Sequence, residues 1–584
     1  MQSRGHKKMI GPQTPLAQET HAQKYREEGE DFREYTNRVA NALTDGPDEY
    51  LAFRDDLADQ VTLPGGRIQK AAGSIRGVTM YNCFVSGTIQ DSFVAGDGSI
   101  MQRLTEAVTT MRLGGGIGYE FSTLRPKNAT IKKLGSKSSG PLAFMDMFDA
   151  GCACVKSAGD RRGAQMGTFD IHHPDIMDFI HAKQGSGRFK NFNLSVLVTD
   201  EFMAALKSGQ PYELRFGGES YGAADPRVVW DAIMRSTYDW AEPGVIFIDE
   251  INRRNNLNYC ETIRATNPCG EQPLPPFGAC LLGSINLTKL VDTWGGRRVF
   301  NFTRLRQVVE RFVRAMDNVV DRSIYPLEAQ RLEALQKRRM GIGVTGLANA
   351  IEALLNRPAY GDDEFVEWQH KIMQEIALVA YETSIKLAVE KGPFPLLDRG
   401  KYLSGDGFAA KRLPEHLQEL IWKHGIRNSH LLSIAPTGTI SLSADNVSSG
   451  IEPVFLHSYT RDILLDDGKR TETIEDYGIR TFQVGGRTTE EVTVDQHIKV
   501  LAKATEWVDS AVSKTVNIPS DYSFQDFKQV YMKAWEAGAK GCTTFRSGGK
   551  LQGILRAEEK ETVAEEKPAE ACFFDPVTGK RECA

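Results

Sequence analysis

A chain of 584 residues, 41% apolar and 25% charged, is long enough to bury a deep core, and no run of about 18 apolar residues is present to span a bilayer. The formal charge of −5 gives no overall attraction to nucleic acid, so polymer binding falls out of the leading functions. Nine unevenly spread cysteines fit a reducing compartment, and the basic N-terminal residues have no apolar segment behind them, so a cytoplasmic location is expected.

Residues 17–60 carry charged and apolar residues at helical spacing and stop at the turn signal Leu63-Pro64-Gly65-Gly66, which predicts a helical segment over residues 1–62. From about residue 78, the β-rich runs MYNCFVSG, NLSVLVT, GVIFID and SHLLSIAP alternate with helical stretches such as SIMQRLTEAVTTMRL and FTRLRQVVERFVRAMDNVV. That alternation predicts α/β units around a largely parallel sheet or barrel over residues 63–552. Gly114 to Gly118 looks like a dinucleotide loop, but it follows a helical run and lacks a placed acidic partner, so a Rossmann reading is rejected. Beyond Gly553, Glu, Lys, Ala and Pro dominate, which predicts a flexible tail over 553–584 that carries Cys572 and Cys583.

The stretch TNPCGEQPL holds a thiol, a carboxylate and a carboxamide within five residues: Asn267, Cys269 and Glu271. Extended backbone would point all three to one face, where the carboxylate can take a proton and the carboxamide can orient a hydroxyl. The alternative is a simple turn, since Asn-Pro and Cys-Gly are turn dipeptides. Cys152-Ala153-Cys154 is one residue short of a C-x-x-C metal pair, so Cys152, Cys154, Cys260 and Cys542 read as small core hydrophobes. Further on, APTGTIS follows the apolar run LLSI and offers hydroxyls and backbone N–H groups where a helix can begin, a suitable anion site.

Asn267-x-Cys269-x-Glu271, ACLLGSINL with Cys280, YNCFVSG with Cys83, GGGIGYEFSTLRPKNATI and APTGTIS together resemble the catalytic chain of ribonucleotide reductases, in family order from about residue 60 to 550. The resemblance implies a ten-stranded α/β barrel of the ribonucleotide reductase and glycyl-radical enzyme type. It implies that Cys269 carries a thiyl radical, that Glu271 is general base on the 3′-hydroxyl, and that Asn267 bonds ribose hydroxyls. Cys83 and Cys280 would supply two electrons by closing a disulfide, and the tail pair Cys572 and Cys583 would then be reduced by a thioredoxin or glutaredoxin-like dithiol protein. Ten residues separate the tail cysteines, wider than such tails usually have, but Asp575-Pro576 and Thr578-Gly579 offer a hairpin turn.

By the same resemblance, Pro436, Thr437, Gly438, Thr439, Ile440 and Ser441 would hold the phosphates of a ribonucleoside di- or triphosphate. Asp91, Ser92, Lys156, Arg161, Arg162 and Gln165 would belong to the region that answers a deoxynucleotide or ATP effector. The 82 residues before Cys83 leave no room for an added ATP cone, so inhibition by dATP at such a cone is not expected. Relatives that import the radical from a metal-containing subunit carry a tyrosine pair where this chain has Thr543-Thr544, and the glycyl-radical branch lacks the counterpart of Glu271. The resemblance is therefore to the adenosylcobalamin-dependent class, with cobalt held in the cofactor and no protein metal site. Asp170-Ile171-His172-His173-Pro174-Asp175 begins like the D-x-H-x-x-G cobalamin signature but has Asp175 at the glycine position, so both histidines read as structural. Alternatives are a reductase that needs a radical-generating partner and a non-catalytic nucleotide-binding homologue. A homodimer through a helix over 99–111 is possible on the same pattern.

Overall fold

Five β-rich runs lie parallel in chain order: Cys83–Val85, Gly116–Glu120, Gln165–Asp170, Phe192–Val198 and Gly244–Phe247. Alternation along them divides two faces. Phe169, Val196, Val198, Val245 and Phe247 point outward into a core shared with helices Ile100–Arg112, Pro141–Cys154 and Pro226–Trp240. A second set, Leu282–Asn286 beside Gly341–Thr345 and Thr515–Ile518 beside Gly541–Arg546, is also parallel within itself. The two sets meet antiparallel at Val245 with Cys542 and at Cys83 with Cys280.

The structure, a computed structural model, describes residues 11–131, 135–155, 164–185, 187–465, 468–547, 549, 572–574 and 581–583. Its ladders form one eight-stranded and one three-stranded sheet rather than a continuous ten-stranded ring. The run SHLLSIAP, expected as a strand, makes only isolated bridges, Ile342 to Leu432 and Ile434 to Val512. A side chain takes two of the N–H groups that a ladder would have used, while Leu431, Leu432, Ser433 and Ile434 keep other backbone partners. The Asp509 carboxylate accepts from the N–H of Leu431 and of Leu432 at 2.7 and 2.9 Å, and the Lys540 ammonium donates to the Asp509 carbonyl at 2.8 Å.

Three helices, Pro15–Tyr25, Phe32–Leu43 and Pro47–Ala58, precede the barrel, the first capped by Thr14 and the second opened by a reciprocal Asp31–Glu34 capping box. They do not stand apart from it. Tyr35, Val39, Leu43 and Phe53 share a core with Phe312 and Val313 of the helix Phe302–Arg322, and Arg311 pairs with the buried Asp56. The boundary expected after residue 62 falls inside the strand Thr62–Pro64, which pairs with Leu282–Asn286. Among the described residues no helix is long and apolar enough to cross a membrane.

Candidate active site

Residues 264–274 leave the wall and run through the middle of the ring as a short antiparallel finger, Ala265 facing Leu274 and Thr266 facing Pro273. Both half-barrels hold it. Thr168 Oγ1 donates to the Arg264 carbonyl and Asn193 Nδ2 to the Pro268 carbonyl, each at 2.8 Å. From the other side, Ser433 Oγ and the Ala511 N–H donate to the Glu271 carbonyl at 2.8 and 3.1 Å. The finger passes so close to the wall that glycine is required there: a Cβ on Gly118 would collide with the Thr266 carbonyl, and one on Gly341 with the Gln272 carboxamide. The same Gly-Ile-Gly triplet thus occurs at 116–118 and 341–343, once on each side of the finger.

The fingertip is a turn and not the extended segment that one-face pointing would need. The Gly270 N–H donates to the Asn267 carbonyl at 3.0 Å, Pro268 fixes the second position, and Gly270 takes φ of +82°. The turn does what extension was expected to do, by another route. Cys269 is exposed at the apex, while Asn267 and Glu271 flank it at the base, both buried, with Asn267 Oδ1 accepting from the Gln272 N–H at 2.9 Å.

Cys83 and Cys280, nearly 200 positions apart in sequence, are direct cross-strand partners. Such pairs bring their Cβ atoms to about 4.5–5.5 Å, near what a disulfide spans. Burial pushes the Cys280 thiol well above its ordinary value, and its hydrogen bond with Cys83 and the nearby Glu271 and Cys269 act the same way. Burial also pushes the Glu271 carboxyl up to about 7, against the lowering effect of the Asn267 carboxamide beside it. Cys83, Cys280, Leu274, Leu282 and Ala435 form one apolar cluster, so the APTGTIS segment begins against the cysteine pair.

Several buried polar atoms around this point have no hydrogen-bond partner among the described residues: Asn82 Oδ1, Ser86 Oγ, Asn267 Nδ2, Glu271 Oε2 and both ends of the Gln272 carboxamide. Unsatisfied atoms cost roughly 1–3 kcal/mol each, so their concentration marks a place built for a polar ligand. Gln272, Asn193 and Ser433 were not singled out from sequence; the second Gly-Ile-Gly was the signal that could have pointed to the strands around them.

A short helix, Gly438–Ser443, does begin in the APTGTIS segment. Thr437 precedes it in the left-handed region at φ of +53°, and its Oγ1 accepts from the Gly450 N–H at 2.7 Å and lies 3.0 Å from Thr345 Oγ1. Pro436 and Gly438 are exposed, Thr439 and Ile440 half-buried and Ser441 buried, where it meets Ser449. Asp91 pairs with Arg125 at 2.7 Å, and the Ser92 carbonyl accepts from the Ile100 N–H. Gln165 departs from the loop expected for it. It opens a barrel strand, buried, where it accepts from Tyr119 Oη at 2.8 Å. Lys156, Arg161 and Arg162 lie outside the described residues.

His172 and His173 are buried, with their ring nitrogens engaged by Glu213, Thr199, Leu124 and Asp175. Cys152 and Cys542 are core residues as expected, whereas Cys154 and Cys260 are exposed. In the tail, Cys572–Phe574 pairs with Arg581–Cys583, and Cys572 stands opposite Cys583.

A family model described as ribonucleotide reductase, barrel domain, matches residues 81–545. The chain belongs to the ribonucleotide reductase family. Among the reductases similar to it is a Mycobacterium tuberculosis (strain CDC 1551 / Oshkosh) protein named vitamin B12-dependent ribonucleoside-diphosphate reductase, 34% identical over 503 residues, which are 81% of this chain and 68% of the relative. A Thermoplasma acidophilum protein of the same name is 32% identical over 584 residues, 94% of this chain and 71% of that one. A Streptomyces avermitilis vitamin B12-dependent ribonucleotide reductase is 26% identical over 630 residues, 92% of this chain and 63% of the relative.

Proposed function

We propose that this chain is an adenosylcobalamin-dependent ribonucleotide reductase that makes deoxyribonucleotides for DNA synthesis. The observation that carries the reading is the meeting of the Cys83–Cys280 pair with Asn267, Cys269 and Glu271 inside the ring. Cys269 removes the ribose 3′-hydrogen as a thiyl radical and later returns it. Glu271, whose burial favours holding a proton near neutrality, takes the proton of the 3′-hydroxyl, and Asn267 Nδ2, which has no hydrogen-bond partner among the described residues, bonds the ribose hydroxyls. The 2′-hydroxyl leaves as water, and Cys83 and Cys280 give up two electrons and two protons as their disulfide forms. Pro436 to Ser441 hold the substrate phosphates with the hydroxyls and backbone N–H groups where the helix Gly438–Ser443 begins, and Asp91 and Ser92, with Lys156, Arg161 and Arg162, answer a nucleotide effector.

The fingertip fits the cofactor. Cys269 is the exposed point of an otherwise buried loop, and a Cβ on Gly270 would meet nothing within 4 Å, so both residues would face a bulky group. When bound, that group supplies the radical chemistry through homolysis of its cobalt–carbon bond. The tail pair Cys572 and Cys583 then passes electrons from a thioredoxin or glutaredoxin-like protein to the internal disulfide. Their opposed backbone positions support this, because directly opposed antiparallel residues have Cα separations of about 4.5–5.5 Å, within disulfide range.

The test is anaerobic conversion of ribonucleoside di- and triphosphates with a small dithiol, with and without adenosylcobalamin and with no second protein. Product only with the cofactor is expected. No product from folded protein, or product only after a metal-containing subunit is added, would overturn the reading. Cys572→Ser should stop turnover driven by a protein dithiol while turnover with the small dithiol continues.

A further inference from the structure

The strand Gly341–Thr345 turns into the helix Leu347–Leu355 through Gly346, and this corner engages every polar group of one remote residue, Ser448. The Ser448 carbonyl accepts from the Gly346 N–H at 2.7 Å and from Thr345 Oγ1 at 3.1 Å. Its N–H donates to Asn349 Oδ1 at 2.7 Å, and its Oγ accepts from the Asn349 N–H at 3.3 Å. That last N–H belongs to the first turn of the helix, where no partner exists within the helix itself. The other end of the Asn349 carboxamide is fixed as well. Nδ2 donates to both oxygens of the buried Asp476 carboxylate at 3.1 and 3.2 Å, and Asp476 Oδ2 also accepts from the N–H groups of Gly478 and Ile479. A carboxylate only accepts, so the carboxamide nitrogen must face Asp476 and its oxygen must face Ser448.

The two residues after Ser448 carry this grip to the APTGTIS segment. Ser449 Oγ lies 2.8 Å from Ser441 Oγ, and the Gly450 N–H donates to Thr437 Oγ1 at 2.7 Å. Gly450 is pressed against the segment: a Cβ there would stand 2.8 Å from the Ala435 carbonyl, and its φ of +54° suits glycine. Thr437 precedes the helix Gly438–Ser443 and Ser441 lies within it, so the strip Ser448–Gly450 holds the first turn at two points. Thr437 itself sits in the left-handed region, a conformation that persists for a threonine only where its surroundings impose it.

We infer that Asn349 is a positioning residue for the phosphate site. Its carboxamide, oriented by Asp476, fixes Ser448 and through it the backbone of residues 437–441 that receives the substrate's phosphates. The inference rests on the reading of Pro436 to Ser441 given above and adds the residues that preset them. A loop ordered before the nucleotide arrives loses little further entropy on binding, so releasing it weakens phosphate binding and leaves the chemistry at Cys269 unchanged.

The test is calorimetric binding of pyrophosphate to the full chain, alone and in competition with a ribonucleoside diphosphate, together with KM and kcat from the assay above. Asn349→Ala removes both side-chain bonds and is expected to weaken pyrophosphate and raise KM by about tenfold, with kcat within about twofold of wild type. Asn349→Asp sets two carboxylates against each other, and Asp476→Asn sets two amide nitrogens against each other, so each should weaken pyrophosphate by a similar factor or more. Combining Asn349→Asp with Asp476→Asn restores a donor facing an acceptor with the roles exchanged, and should return affinity and KM to within about threefold of wild type. If the single variants at 349 do not fold, Asp476→Asn decides. A purely structural Asn349 would lower the melting temperature of Asn349→Ala without moving pyrophosphate affinity. That result, or a double variant no better than its parents, would overturn the inference. Pyrophosphate that fails to compete with the nucleotide in wild type would instead overturn the phosphate reading on which the inference rests.

Discussion

The two ends of the finger are built on opposite principles. At its base, charges are paired: Glu261 with Arg339 and Lys337, and Arg264 with Glu120 and Asp170, while Asn252 takes both the N–H and the carbonyl of Ile263. At the tip, a few residues on, Asn267, Glu271 and Gln272 keep buried polar atoms without a hydrogen-bond partner among the described residues. Saturated groups fix position, and unsaturated ones wait for a ligand to complete them. The base therefore belongs to stability and the tip to chemistry, although both lie on one continuous segment.

Substitutions can break that division, and the tip should give the largest effects on rate. Cys269→Ala is expected to lower deoxynucleotide formation by more than about a thousandfold in single-turnover assays while the melting temperature stays near that of wild type. Glu271→Gln should cost roughly a hundredfold to ten-thousandfold, the usual range for a lost general base. In wild type, the rate should fall as pH drops through about 7, where the raised carboxyl gains its proton, and the variant should lose that acidic limb. The same shift has a stability sign. The folded protein binds this proton more tightly than the unfolded chain, so Glu271 erodes stability as pH rises from the ordinary carboxylate range through about 7. Melting curves of Glu271→Gln should lack that erosion.

The base should respond in the other currency, stability before rate. Arg339→Leu removes one partner of the buried Glu261 and is expected to cost about 3 kcal/mol in denaturant unfolding. A loss of rate at a temperature where the variant is fully folded would show that the base also tunes the tip. The smallest effect is expected at the edge of the site. Thr437→Val removes the acceptor of the Gly450 N–H and should raise KM for nucleotide by about fivefold, near 1 kcal/mol, with kcat little changed.

Local signals in the sequence were read well where one residue type does one job. A turn signal, β-rich runs and stretches of helical spacing placed the parallel strands and the helices around them. Pairing of charges and hydroxyls across the ring left no such mark. The partners of the finger, Thr168, Asn193, Ser433 and Ala511, are ordinary residues on four separate segments, and their roles follow only from where those segments meet. The N-terminal helices looked separable because the turn signal Leu63-Pro64-Gly65-Gly66 follows them; that their apolar faces pack against the helix Phe302–Arg322 is a property of the assembled core.

By itself the sequence determined the chemistry on offer: a Cys flanked by Asn and Glu, two further cysteines, a hydroxyl-rich anion loop and a tail with two more thiols. Those are fixed by covalent identity and short spacing. Only the tertiary structure decided that Cys83 and Cys280 are neighbours, that Asn267 to Gly270 is a turn with the thiol at its apex, and that Glu271 is buried deeply enough to hold a proton near pH 7. Distance across the chain, burial and dielectric surroundings belong to the folded ensemble of contacts and cannot be set by a few adjacent residues.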